Sequence, residues 1–350
     1  MYIIHSKYLV VKSKIPHKYL MLKFCSAAWD TVHILWDGRV STCLCPGWHN
    51  KGFIGNLNQN TLIEICNNLD AQDMRDSVLD QSFKYCRKDE CYRLYSLEEV
   101  INFDVIKTYP KLPINLNLSI DKNCNLKCAS CRTDNIYSKD INLQAQQILN
   151  RLIEAYKDFD QTVRIYCDAS GDIFASSAYQ KFFRRDDLPE CFEFCLQTNG
   201  NLVTKNMDIL VKLKDQIDVM IVSFDAATPD TYKDIRGGNF ELVVEGVRQM
   251  VEEGINVSTQ FVAQYKNHKE ILAYVNLCKS LGVNYIGLQK LDRWTHMNST
   301  WKNWWEDNRL DNNPKIDYDY LISTLSTINK EPNVGLCGGL SNLIATYTSD

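Results

Sequence analysis

The sequence predicts an α/β fold: a partial, open (β/α)6 barrel preceded by a small Cys-rich β-hairpin-plus-helix region. Three observations predict it. Strand and helix patterns alternate between residues 113 and 289, as repeated β/α units with parallel strands do. The units number six, fewer than the eight of a closed barrel. The first hundred residues carry spaced cysteines and a hairpin turn signal, Asp37-Gly38, instead. The chain therefore divides into residues 1–105, 112–292 and a Trp-rich helical extension, 293–350.

Taken in order, Pro113 to Ile120 is apolar at alternate positions and reads as a strand. Asn142 to Asp158 carries Ile148, Leu149, Leu152, Ile153 and Tyr156 at helical spacing. Thr162–Tyr166 and Phe192–Leu196 are the second and third strands, with a helix around Phe182 and Phe183 between them. Asp218–Phe224 is the fourth, followed by a helix from Phe240 to Glu253 that Gly254 stops. Ile255–Val262 and Asn284–Gln289 complete six, separated by a helix from His268 to Leu281 that stops at Gly282. In the extension, Trp294, Trp301 and Trp305 share a helical face. Such a stripe reads first as a helix packed on the barrel's open edge.

Of the 350 residues 45% are hydrophobic and 23% charged, and the net charge is −4. That balance gives no electrostatic case for nucleic acid or an anionic membrane as partner. No apolar run approaches a membrane span, and Lys7, Lys12, Lys14 and Lys18 break up the start of the chain, so no signal-peptide core is present. A cytoplasmic protein is expected. Its fourteen cysteines then favour metal ligation over disulfides. Cys66, Cys195 and Cys278 lie on apolar elements and read as buried thiols.

The densest chemistry is Cys124-Asn125-Leu126-Lys127-Cys128-Ala129-Ser130-Cys131, in the loop leaving the first barrel strand. Active sites of parallel barrels are built on that face. A [4Fe–4S] cluster takes four thiolates, so three leave one iron open to a small molecule. This Cys-x3-Cys-x2-Cys pattern resembles the signature of the radical S-adenosylmethionine (radical SAM) superfamily, whose barrel is TIM-like. The resemblance implies that SAM chelates the open iron. An electron from the cluster then splits SAM into methionine and a 5′-deoxyadenosyl radical, which abstracts hydrogen from substrate.

Further segments at the strand ends carry the same resemblance. Ser170-Gly171-Asp172 is similar to the family's Gly-Gly-Glu, in variant form, and would meet the SAM amine. Thr198-Asn199-Gly200 would face the ribose or the reacting carbon, and Ser223-Phe224-Asp225 resembles a Ser-x-Asp ribose contact. Arg236 lies in a segment similar to one whose Arg binds the SAM carboxylate; its planar fork suits that task.

Ahead of the barrel, Cys25, Gly38 and Cys43 are spaced Cys-x12-Gly-x4-Cys, and Cys86 and Cys91 follow. Together with Trp29, Trp36, Gly55-Asn56-Leu57 and the helix Leu62–Cys66, this resembles the auxiliary-cluster domain called SPASM, or its shorter twitch form. A second [4Fe–4S] cluster on Cys25, Cys43, Cys86 and Cys91 is implied. Cys45 is either a bystander or a replacement for Cys91, and a four-Cys zinc site is the alternative on the same residues. Such domains usually follow the barrel; here it precedes.

A fully ligated auxiliary cluster is an electron carrier, which favours net oxidation, that is, dehydrogenation or bond formation, on a peptide or a small polar metabolite. A reducing partner such as flavodoxin or ferredoxin is implied. An epimerase, for which Cys167 or Cys337 would donate hydrogen, a methyltransferase, and a non-catalytic iron–sulfur or zinc module are the alternatives. The 24 residues before Cys25 are too few for a winged-helix leader-peptide reader, and Leu44 stands where sulfatase maturases carry an acid.

Overall fold

The computed structural model describes residues 23–43, 52–86, 95–96, 112–131, 139–167, 171–292 and 299–348. Its main feature is one ten-stranded sheet. The six expected barrel strands are β6 (Asn115–Ser119), β7 (Val163–Cys167), β8 (Phe192–Thr198), β9 (Ile217–Ser223), β10 (Val257–Ala263) and β11 (Tyr285–Lys290). Each pairs in parallel with the next. Between them run α4 (Lys139–Tyr156), α5 (Ser177–Phe183), α6 (Met207–Lys212), α7 (Pro229–Arg236), α8 (Phe240–Glu252) and α9 (Ile271–Ser280).

Alternate strand residues meet the helices. Leu116, Leu118, Ile165, Phe194, Leu196 and Val222 form one buried core with Ile148, Leu152, Phe183, Val247 and Tyr274. At roughly 25 cal/mol per Å2 of buried apolar surface, this layer is what holds the barrel together. The helix ends at Gly254 and Gly282 fall where the sequence puts them. The third barrel strand runs two residues further than its sequence pattern, to Thr198.

Both edges of the barrel are extended by elements the periodicity does not show. At one edge β12 (Val334–Leu336) pairs in parallel with β11, Gly287 opposite Gly335. Three residues are too few to carry a period. The same stretch of chain forms α10 (Ser299–Asn308), α11 (Tyr318–Ile328) and α12 (Gly338–Thr348). Leu321, Leu325, Ile328 and Leu340 join the main core, so the extension covers the β11 edge. Trp294 lies outside the described residues.

At the other edge the N-terminal region adds three strands: β2 (Thr31–Leu35), β3 (Arg39–Ser41) and β4 (Gly55–Asn56). The β2–β3 hairpin turns at Gly38, whose φ of +80° is a conformation that favours glycine. β2 pairs in parallel with β6, Thr31 opposite Asn115 and Leu35 opposite Ser119. The auxiliary region and the barrel thus share one sheet.

The same region contains a short ribbon of β1 (Lys23–Phe24) and β5 (Tyr95–Ser96), then α1 (Ala27–Asp30), α2 (Leu62–Cys66) and α3 (Leu69–Leu79). A capping box between Thr61 and Glu64 starts α2. Phe24, Ala28, Met74, Val78 and Phe83 make a separate small core, with Trp29, Tyr85 and Cys86 packed against it. Among the described residues no helix is long and apolar enough to cross a membrane.

Candidate active site

The cysteine loop begins where β6 ends, and three strand ends and one helix hold it. Asp121 is buried and accepts from Asn123 N at 2.8 Å and from Ser176 Oγ at 2.5 Å. The next strand end presses on the same loop: Asp172 N donates to Asn123 O at 2.8 Å, and a Cβ on Gly171 would stand 2.2 Å from that oxygen. Gly171 therefore lets two backbones touch, and the chain it touches is the residue before Cys124.

Asp172 ties this end to the next. Its Oδ2 accepts from Thr198 Oγ1 at 2.8 Å and Asn199 N at 2.7 Å, and its Oδ1 from Phe174 N at 3.0 Å. Burial pushes the carboxyl up, and these donors pull against it. Thr198 Oγ1 also accepts from Gly200 N. Both side chains, expected at SAM, join β7 to β8. The Asn199 side chain reaches the loop itself, donating to Asn125 Oδ1 at 2.9 Å with Cys124 Sγ at 3.8 Å.

From the fourth side, α7 docks its last turn: Ala129 N donates to Ile235 O at 3.0 Å. Arg236, next along, pairs through Nη1 with Asp225 Oδ2 at 3.0 Å. Asp225, just past β9, adopts φ +60° and accepts from Val262 N at 2.7 Å through Oδ1. Burial pushes the Asp225 carboxyl up, while Arg236 opposes it. Ser223 accepts from Gln197 Nε2 at 3.1 Å. Ser170 lies outside the described residues.

Cys124 and Cys128 are buried and Cys131 is exposed. Burial pushes the Cys128 thiol up; Arg236 pulls it down, and Cys131 and Cys124 push it up again. Among the described residues no three His, Cys, Asp or Glu side chains are grouped to hold a metal ion. A four-iron cube bonds each thiolate at a different corner and so needs them farther apart than one ion does. Three soft thiolates on one loop fit such a cube.

Of the N-terminal set, Cys25, Cys43 and Cys86 are half-buried. Cys25 follows Phe24 of the small core and Cys86 packs against it, while Cys43 stands beyond the end of β3. Cys91 and Cys45 lie outside the described residues. The expected bystanders behave as such: burial pushes Cys66 up to about 12 and Cys278 up to about 11, and Cys195 is buried and raised likewise.

Sequence reasoning missed the polar inner face of the sheet. His33 lies opposite Asn117 on β6, and its Nε2 is 2.9 Å from Ser119 Oγ. Asn117 is buried, and its Oδ1 has no hydrogen-bond partner among the described residues. Ser223 lies opposite Gln260, which is buried against Gly287. The signal was in the polar alternates of the first strand, Asn115, Asn117 and Ser119, since a parallel strand dry on both faces reads apolar throughout.

Residues 118–278 match the family model described as radical SAM superfamily. The chain belongs to the radical SAM superfamily of enzymes. Residues 25–92 match the SPASM iron–sulfur cluster-binding domain, so in this radical SAM chain the SPASM region precedes the barrel. Radical SAM membership implies SAM and a [4Fe–4S] cluster, and SPASM implies auxiliary clusters.

Among curated proteins, a probable GTP 3′,8-cyclase of Methanococcus vannielii is 25% identical over 169 residues, 48% of this chain and 56% of that protein. One of Methanococcus aeolicus is 27% identical over 183 residues, again 48% and 56%. The chain thus spans about half the length of these relatives. Among solved structures, Streptococcus suis SuiB bound to precursor peptide SuiA aligns over 82% of this chain and 66% of its own, with 13% identity and a TM-score of 0.47. anSMEcpe with bound AdoMet aligns over 61% and 59%, with 16% identity and a TM-score of 0.41.

Proposed function

We propose that this chain reductively cleaves SAM and abstracts hydrogen from a peptide or small polar metabolite, with net oxidation or bond formation as the outcome. The observation that carries it is the Cys124, Cys128 and Cys131 loop, fixed on the rim by Gly171, Asn199 and Ile235 within the matched radical SAM residues. When bound there, cluster and SAM supply one-electron cleavage and a hydrogen-abstracting radical.

The protein's own residues orient the parts. Ser170, Gly171, Asp172, Thr198, Asn199, Ser223, Asp225 and Arg236 line the SAM end of the rim. Asp172 and Thr198 act through the strand ends they join, whereas Asn199 spans from β8 to the cysteine loop. The inner face, with His33, Asn117 and Gln260, suits a substrate rich in hydrogen-bonding groups, because buried polar side chains need partners. Cys25, Cys43 and Cys86, with Cys91 or Cys45, hold an auxiliary [4Fe–4S] cluster that carries electrons. Flavodoxin or ferredoxin supplies them in the cytoplasm.

Anaerobic reconstitution should give about eight iron per chain, two four-iron clusters. Replacing Cys124, Cys128 and Cys131 together by Ala should leave about four iron, again by that count, and no 5′-deoxyadenosine under dithionite. A triple variant that still cleaves SAM would refute the reading.

A further inference from the structure

Arg236 meets the cysteine loop in a fixed register. Ile235 O accepts from Ala129 N at 3.0 Å. Gly237 lies against Lys127, whose O is 3.7 Å from where a Cβ on the glycine would stand. With 235 facing 129 and 237 facing 127, the residue between them, Arg236, stands opposite Cys128.

The guanidinium cannot swing away. Asp225 grips it at 3.0 Å, and Asp225 is itself pinned by Val262 N at 2.7 Å and by Asn267 Nδ2, which donates to its carbonyl at 2.9 Å. The two side chains are 13% and 2% exposed. Arg236 Nε is buried and donates to nothing among the described residues. A cation with a spare donor is thus held on the residue opposite Cys128, whose sulfur carries negative charge when it binds iron.

We infer that Arg236 is a positioning residue acting through Cys128: it favours the one-electron-reduced cluster over the oxidised one, with Asp225 setting how much of its charge is felt. This rests on the proposal that Cys128 binds the cluster, and it is separate from any contact Arg236 makes with SAM. The physical reason is that reduction adds one negative charge to the cluster, and a nearby fixed cation in a poorly solvated site lowers its cost. Charge and hydrogen bonding at the sulfurs are recognised controls of cluster potential.

The test is an EPR-monitored redox titration of the reconstituted full chain before SAM is added, the SAM cluster being the one whose signal changes when SAM is then supplied. Arg236→Gln should lower the reduced-to-oxidised ratio at a fixed potential about tenfold, a shift of about 59 mV for one electron. Arg236→Lys should shift less, and Asp225→Asn should shift the other way. Should Arg236→Gln not fold, the last two variants decide. Unmoved potentials with weakened SAM binding would overturn the inference, because Arg236 would then serve SAM alone. A wild-type chain without iron on Cys124, Cys128 and Cys131 would take down the functional proposal as well, and iron counting distinguishes the two failures.

Discussion

The rim loop and the N-terminal cysteines are held by opposite means. The loop has no regular structure; polar contacts from Asp172, Asn199 and Ile235, with the close backbone approach at Gly171, fix it directionally. Cys25 and Cys86 instead flank a five-residue apolar core, and burial of that kind is non-directional. They also sit at opposite ends of one strand. Leu35 is level with Ser119, where the loop begins, whereas Cys43 lies two residues beyond Ser41, the partner of His33. At roughly 3.3 Å per residue, the length of β2 puts about 13 Å between the two levels. One region is built to hold geometry, the other to stay at a distance from it.

Three variants press on this contrast. The largest effect is expected of Cys25→Ser with Cys86→Ser, which should halve the iron, from about eight to about four by two four-iron clusters, yet keep 5′-deoxyadenosine formation with dithionite. Loss of that product would mean that the two regions are not separable. Next is Gly171→Ala, whose methyl must displace the backbone before Cys124. It should cost about 1–3 kcal/mol in urea unfolding, as overpacking does, and lower iron occupancy of the loop. An unchanged midpoint would show that the loop yields freely. The smallest belongs to Trp36→Ala. The ring of Trp36, in the hairpin turn, has its centroid 4.2 Å from Nζ of Lys122, which lies in the loop two residues before Cys124. Losing that contact should cost about 0.5–1 kcal/mol, read by the same unfolding curve, with SAM cleavage retained. A larger loss would make the hairpin a prop of the loop.

Much of this was legible in the residues. The Cys124, Cys128 and Cys131 spacing, the six strands and the Asp37-Gly38 turn are local signals, set by ligand chemistry, side-chain alternation and glycine's conformational freedom. The sequence also places the SPASM-like cysteines before the barrel, because order along the chain is what a sequence records.

Tertiary structure decided the rest. That β2 lies beside β6, and that His33 thereby faces Asn117, depends on pairing across more than eighty residues. No period within either segment encodes such a partner. The strand-end motifs were visible as motifs, but the bonding of Asp172 to Thr198 and of Arg236 to Asp225 was not. A carboxylate or guanidinium takes the nearest partner that burial leaves it, and what is nearest is known once the chain has folded.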